Sequence, residues 1–270
     1  MSHQIGEVVK VVVPVKRVPD TAGDKPLDPN DYTLDREKVE SILCPMNEYA
    51  IEEACRLKEQ HGAEVTVLLV GPHSAQAVVR KALSYGLDAA VQVSDEAIHG
   101  SDAIATAKVI AAALRQVEFD VVIMGAQATD ARTSIVPAAV AELLGLPSLT
   151  YARRLSIDGD RVVVHRETDE GWNVVESTLP AIVSVVEAIN EPRYPSFKGI
   201  MAAKTKPLAM KSLAEVGVDP GAVGLERAWA RIVDAQPRPQ KEAGKKVEDD
   251  GTGEIGARAL ADWLVEQRII

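Results

Sequence analysis

The residues best suited to chemistry lie in one stretch, GAQATDARTS, which follows an apolar run that predicts a buried strand. Small side chains there would let backbone amides approach a bound group. Thr133 and Ser134 lie where a helix is expected to begin, and Arg132 adds positive charge, so the stretch suits a phosphate. Asp130 could accept from amides or a ribose hydroxyl, or simply cap the helix. The stretch comprises Gly125, Ala126, Gln127, Ala128, Thr129, Asp130, Ala131, Arg132, Thr133 and Ser134.

Two further segments are expected at the same edge of the sheet. One is Cys44, Pro45, Met46 and Asn47, which precede a helical pattern, with Asn47 as a plausible N-cap. The other ends the second predicted strand at Val70. Ligands of open α/β sheets bind outside the carboxyl ends of the strands, so these segments and GAQATDARTS would enclose one pocket. The alternative for each segment is an ordinary strand-to-helix turn.

Other kinds of chemistry are disfavoured. The chain has neither GxGxxG after the first strand nor a Walker motif, and its five histidines and two cysteines lack metal-ligand spacing. Asp169 and Glu170 are adjacent, and solvated charges explain them better than paired catalytic carboxylates do. A net charge of −10 argues against nucleic-acid binding. There is no secretory pattern and no apolar run near the roughly 20 residues that span a bilayer, so we expect a cytoplasmic protein without membrane insertion.

Alternation of strand and helix patterns indicates the fold class. Over residues 7–147, β-branched runs such as EVVKVVVPV alternate with amphipathic segments, which predicts an α/β protein with a mostly parallel sheet flanked by helices. From about residue 148 no helical stripe occurs, and DGD and DEGW read as hairpin turns. An antiparallel ribbon is therefore expected at one edge of the sheet.

The segment that follows the last predicted strand is stiff, charged and aromatic. Pro192 and Pro195, which directly follows the segment, restrict the backbone, and Arg193 and Tyr194 are residue types enriched at binding hot spots. A rigid corner and a docking surface are both compatible with it. The segment comprises Ile189, Asn190, Glu191, Pro192, Arg193 and Tyr194.

Several motifs together resemble the β subunit of electron transfer flavoprotein. They are VVVPVKRVPD, CPMNEYAIEEACRLKE, GAQATDARTS, RETDEG and LPAIVSVVEAINEPRYPSFKGIMAAK, in this order, and the resemblance extends over nearly the whole chain. It implies an adenine-nucleotide-α-hydrolase-like sheet and an electron carrier rather than an enzyme. It also implies a partner α subunit that holds most of the FAD, and a structural AMP bound by the three segments above and by Pro14. The stretch NEPRY would belong to a recognition loop, residues 189–200, that contacts acyl-CoA dehydrogenases.

The resemblance also suggests the domain organisation. Residues 1–204 are expected to form a nucleotide-binding α/β domain that carries the recognition loop. Residues 205–270, weakly periodic and rich in charge, Pro and Gly, are expected to form an arm that ends in a helix docking on the α subunit.

Two alternatives remain open at this point, and a third is disfavoured by a missing motif. The AMP pocket could hold a second FAD, as in relatives that split electron pairs. The chain could be a nucleotide-sensing module of the universal-stress type, which would need neither the arm nor the recognition loop. An ATP-pyrophosphatase of this fold would require SGGxDS after the first strand, and VPVKRVPD stands there instead.

Overall fold

The computed structural model describes residues 8–23, 25–236, 239 and 243–270. Its strands are β1 (Lys10–Val15), β2 (Arg17–Pro19), β3 (Ser41–Leu43), β4 (Glu64–Val70), β5 (Ala89–Val93), β6 (Val121–Gly125), β7 (Ser148–Asp158), β8 (Arg161–Thr168), β9 (Gly171–Thr178), β10 (Ala181–Val185) and β11 (Leu208–Lys211). Its helices are α1 (Pro45–His61), α2 (Gln76–Leu83), α3 (Ala103–Leu114), α4 (Val136–Leu144), α5 (Phe197–Ala203) and α6 (Glu254–Glu266).

Within the described residues, one large sheet has the order β11-β5-β4-β1-β6-β10-β7-β8-β9. All pairs from β11 to β7 are parallel, and the pairs β7–β8 and β8–β9 are antiparallel. The small sheet of β2 and β3 is also antiparallel. The predicted α/β class, the mostly parallel sheet and the antiparallel ribbon at its edge are therefore confirmed.

The central strand β1 is buried on both faces because its valines alternate between two apolar layers. Val11, Val13 and Val15 pack in the layer that contains α1 and α2. Val12 packs in the layer that contains α3 and α4. A strand covered on both sides has no polar face, which explains why its sequence is a continuous β-branched run.

The first compact unit extends beyond the predicted domain end at residue 204. This unit ends at Val233, and β11 pairs with β5 from Leu208↔Ala90 to Lys211↔Val93. The residues after β11 add Leu213 and Val216 to the layer of α3 and α4. The expected arm therefore includes an edge strand and core residues, because a four-residue strand is too short to show a period in the sequence.

The second unit, Asp234–Ile270, contains α6, which confirms the predicted final helix. The carboxylate of Asp249 accepts hydrogen bonds from the amides of Gly251, Gly253 and Gly256 at 2.8 to 2.9 Å. The bonds from Gly253 and Gly256 satisfy amides at the start of α6 that have no partner within the helix. The predicted arm also contains residues 237–238 and 240–242, and the predicted domain residues 1–7 and 24, all of which lie outside the described part of the chain. Among the helices that are described, none combines the length and apolarity needed to cross a bilayer.

Candidate cofactor cleft and recognition loop

The strand order reverses between β1 and β6, as a ligand site at the switch point requires. The chain proceeds from β1 outward through β4 to β5 and then returns to β6 on the other side. The ladder between β1 and β6 ends at Val12↔Val122, although β1 continues to Val15 and β6 to Gly125. Pro14 lies in the part of β1 that is not paired with β6, and as a proline it provides no N–H donor. The two strands thus separate toward their carboxyl ends, and we call this opening the cofactor cleft.

The start of α1 covers one side of the cofactor cleft. Cys44 is the N-cap of α1 and Pro45 its first residue, so the prediction of Asn47 as N-cap is wrong. Proline suits the first helical position because the missing N–H would have no partner there. The side chain of Asn47 instead accepts a hydrogen bond from the amide of Lys16 at 2.9 Å. Asn47 therefore ties α1 to the end of β1.

Glycine is required at the end of β6 by its packing against α1. A Cβ on Gly125 would lie 2.7 Å from the carbonyl oxygen of Met46, a contact that no side chain could make. The amide of the next residue, Ala126, donates to the carbonyl of Val185 at 2.9 Å. The Ala126 amide therefore belongs to the sheet, and its role as a ligand contact stays a prediction.

Asp130 is the partner of two cations and caps no helix. One carboxylate oxygen accepts from Lys16 Nζ at 2.8 Å and the other from Arg36 at 2.5 Å, and the Asp130 side chain is only 1% exposed. Burial by itself would raise the pKa of Asp130, but the attraction of Lys16 and Arg36 outweighs it, so the pKa lies below its ordinary value. Two cations against one carboxylate leave an excess of one positive charge beside the cleft.

The segment between Asp130 and α4 is the most exposed part of the predicted site. Ala131, Arg132 and Thr133 are exposed, and Ser134 donates to the side chain of Gln127 at 3.0 Å. Arg132 (φ 49°) and Ser134 (φ 57°) adopt left-handed backbone conformations. Ile135 has a right-handed conformation and is the N-cap of α4. A left-handed residue next to a right-handed one turns successive amides toward one concave side, which suits an anion.

The remaining predicted residues also lie at this edge. The Cys44 sulfur is 4.0 Å from the Thr129 hydroxyl, and Ala128 packs against the cluster of Cys44 and Met46. Pro14 is buried in β1, and Val70 is half-buried at the end of β4. The structure therefore brings the predicted segments together at the carboxyl ends of β1, β4 and β6.

Two cations of this edge, Lys16 and Arg36, were missed from the sequence. Lys16 follows the valine run of β1 directly, a position that could have marked it as a side chain at the strand end. Arg36 lies between β2 and β3, where no periodicity indicates a partner. The buried Arg17 bonds Glu37 at 2.6 Å and Ser74 at 2.8 Å, which fixes the same connection against the start of α2.

The recognition loop, residues 189–200, has an inner and an outer side. Ile189 packs against the core layer of α1 and α2, and Asn190 donates to the carbonyl of Tyr49 at 3.0 Å. Arg193 reaches inward to carboxylates of α1. By contrast, Tyr194 is 95% exposed and Phe197 80% exposed. The hot-spot residue types foreseen in the sequence thus divide into an anchor, Arg193, and an exposed aromatic, Tyr194.

A close backbone contact holds α5 at the end of the recognition loop. A Cβ on Gly199 would lie 2.2 Å from the carbonyl oxygen of Ser84 at the end of α2. Ser196 caps α5 by accepting from the Gly199 amide at 3.0 Å. Because α5 also carries the half-exposed Ile200 and Met201, its position determines the apolar surface beside Tyr194.

Replacing Gly199 by Ala is expected to lower the free energy of unfolding by about 2 kcal/mol, since α5 must move away from a backbone oxygen. For a chain of this size the midpoint of thermal unfolding should fall by about 4 to 8 °C, measurable by calorimetry. Gly244→Ala is the matched control, because a Cβ there meets no atom within 4 Å. Equal midpoints for the two variants would contradict the contact between α5 and α2.

The fold and the cleft define an open α/β protein with a candidate ligand position at the switch in strand order. The family model described as Electron transfer flavoprotein domain matches residues 31–216. The electron transfer flavoprotein subunit beta of Mycobacterium tuberculosis is 46% identical over 269 residues, covering 97% of this chain and 100% of that protein. The same subunit of Megasphaera elsdenii is 35% identical over 272 residues, with the same coverage. The caffeyl-CoA reductase-Etf complex subunit CarD of Acetobacterium woodii is 34% identical over 264 residues, again covering 97% and 100%.

The chain belongs to the electron transfer flavoprotein family, and within it to the beta subunits. Its function is accordingly that of an electron transfer flavoprotein.

Proposed function

We propose that this chain is the β subunit of a heterodimeric electron transfer flavoprotein in the cytoplasm. Its α subunit would hold most of the FAD, and the pair would carry electrons from acyl-CoA and other dehydrogenases to a quinone-linked acceptor. The observation that carries the proposal is the combination of near full-length similarity to beta subunits with an exposed aromatic surface on the recognition loop. The terminal helix α6 would dock on the α subunit.

AMP is the ligand that we propose for the cofactor cleft. The excess positive charge of Lys16 and Arg36 over Asp130, together with the exposed Arg132, favours a phosphate. The left-handed Ser134 before α4 supports the same position, because helix N-termini offer free amides and the positive end of a dipole. The half-buried Val70 would supply apolar surface at the end of β4, and the buried Pro14 and Cys44 lie at the neighbouring strand ends.

The chain itself needs no reactive side chain for this role. FAD supplies the redox chemistry when bound, and the protein positions it and excludes competing reactions. Both cysteines are free, and burial raises the pKa of Cys55 to about 11, so its thiol stays protonated at neutral pH. The residues of this chain would instead hold the nucleotide, contact the α subunit and present the recognition loop.

Acid extraction of the purified heterodimer, followed by nucleotide analysis, tests the proposal. Equimolar FAD and AMP are expected. A second FAD in place of AMP would overturn the assignment of the cleft and favour an electron-bifurcating subunit. A colourless protein that purifies without an α subunit would instead favour a nucleotide-sensing module.

A further inference from the structure

Helix α1 buries two adjacent carboxylates, which is costly unless they are paired. Glu52 is 4% exposed and Glu53 is 7% exposed. Within the helix, Arg56 reaches Glu52 at 3.3 Å and Glu53 at 3.6 Å, both longer than strong charge-assisted hydrogen bonds. The shorter contacts come from the recognition loop, so these carboxylates bind side chains of the loop more closely than they bind Arg56.

Arg193 forms a fork between two acidic residues of α1. Its Nε donates to Glu52 Oε2 at 2.7 Å and one terminal nitrogen donates to Glu52 Oε1 at 2.9 Å, a bidentate arrangement. The guanidinium also bonds both carboxylate oxygens of Glu59, one of them at 3.1 Å. The Arg193 amide donates to Glu52 Oε2 at 3.2 Å, so backbone and side chain are both held.

A second anchor lies three residues earlier in the loop. The Asn190 side-chain amide donates to the Tyr49 carbonyl at 3.0 Å and to Glu53 Oε2 at 3.1 Å. Pro192 and Pro195 restrict the backbone on either side of Arg193 and Tyr194. With Arg193 fixed inward, the next side chain along the chain, Tyr194, points outward and is almost fully exposed.

We propose that Glu52 and Glu59 are positioning residues for dehydrogenase docking: through Arg193 they hold the recognition loop in its docking conformation. The inference rests on the proposed docking role of this loop. A loop ordered before the encounter loses less conformational entropy on binding, so its apparent affinity is higher. The same helix contacts Gly125 through Met46, so the loop and the cofactor cleft share one rigid support.

The test compares Glu52→Gln, Arg193→Gln and the double variant, each purified as heterodimer with its α subunit, in electron transfer from an acyl-CoA dehydrogenase. Each single variant is expected to raise the KM for the heterodimer about fivefold to tenfold, with kcat unchanged, because only the docking-competent fraction falls. The KM of the double variant should be no higher than that of the more affected single variant, because both substitutions remove the contact between Arg193 and Glu52. If the increases in KM of the two single variants multiplied in the double variant, Arg193 would contact the dehydrogenase itself, which would overturn the inference.

Amide hydrogen exchange of residues 190–196, measured on the heterodimer without a dehydrogenase, separates the inference from the docking role. Exchange should become about tenfold faster in Glu52→Gln. If Glu52→Gln prevents folding, Glu59→Gln takes its place in the test, because the side chain of Glu59 is 58% exposed. Glu118→Gln is the control, because it also removes one carboxylate and one ion pair, that with Lys10.

The possible results have distinct meanings. Faster exchange with an unchanged KM would support the positioning of the loop and count against its role in docking. Unchanged exchange in Glu59→Gln, or equal acceleration in Glu118→Gln, would overturn the inference.

Discussion

The midpoint of thermal unfolding is expected to fall by about 4 to 8 °C when Asp130 is replaced by Asn, which corresponds to about 2 kcal/mol for a chain of this length. The substitution leaves Lys16 and Arg36 beside each other without their shared anion. Breaking a fully buried pair costs about 3 to 5 kcal/mol. A smaller value is expected here because the side chains of Lys16 and Arg36 are 38% and 31% exposed.

The pH dependence of this loss has a definite sign. The pKa of Asp130 is lowered in the folded state. The contribution of Asp130 to the free energy of unfolding is therefore complete above the unfolded-state pKa of about 4, and it disappears as the pH falls through the lower folded-state pKa. Calorimetry of wild type and Asp130→Asn should therefore give the full difference at neutral pH and a shrinking difference in acid. Asp169→Asn, an exposed turn residue, is the control. A midpoint for Asp130→Asn equal to that of wild type would refute the pairing.

The second large effect concerns docking. The double substitution Tyr194→Ser and Phe197→Ser is expected to raise the KM for an acyl-CoA dehydrogenase at least about tenfold, since exposed aromatics of this kind supply most of the energy at hot spots. Both side chains are largely exposed, so the melting midpoint and the flavin content should not change.

Trp229→Ser provides the control for the docking variant. Trp229 is also highly exposed, but its amide bonds to Asp102 at the start of α3, on the face of the sheet opposite α1. Its KM should equal that of the wild type. If the double variant docked normally, or if Trp229→Ser impaired docking equally, the recognition loop would not be the dehydrogenase surface.

The layered fold could be predicted from the sequence because a strand that is buried on both faces has a continuous run of apolar residues. The valines of β1 and the hairpin turns after β7 and β8 are local signals, and the structure confirms what they indicate. Strand β11 could not be predicted in this way. Its four residues owe their conformation to hydrogen bonds with β5, which lies more than a hundred residues earlier in the chain.

The place of the candidate site could be predicted from topology, but the roles of individual residues could not. Asp130 was expected to cap a helix or contact a ligand; it caps no helix and bonds Lys16 and Arg36, which are distant in sequence. Gly125 was interpreted as access for a ligand, although it accommodates Met46. Arg193 looked like an exposed contact residue before its partners on α1 were known. In each case a tertiary contact determines the role, and such contacts leave no periodic signal in a single sequence.

Flavin reduction by an acyl-CoA dehydrogenase, followed spectroscopically under anaerobic conditions, tests most directly whether this chain acts only as a carrier subunit. The heterodimer with its α subunit should be reduced when the dehydrogenase and its acyl-CoA substrate are present. The isolated chain should neither take up electrons nor convert the substrate. Substrate turnover by the isolated chain, without flavin, would contradict the proposed function.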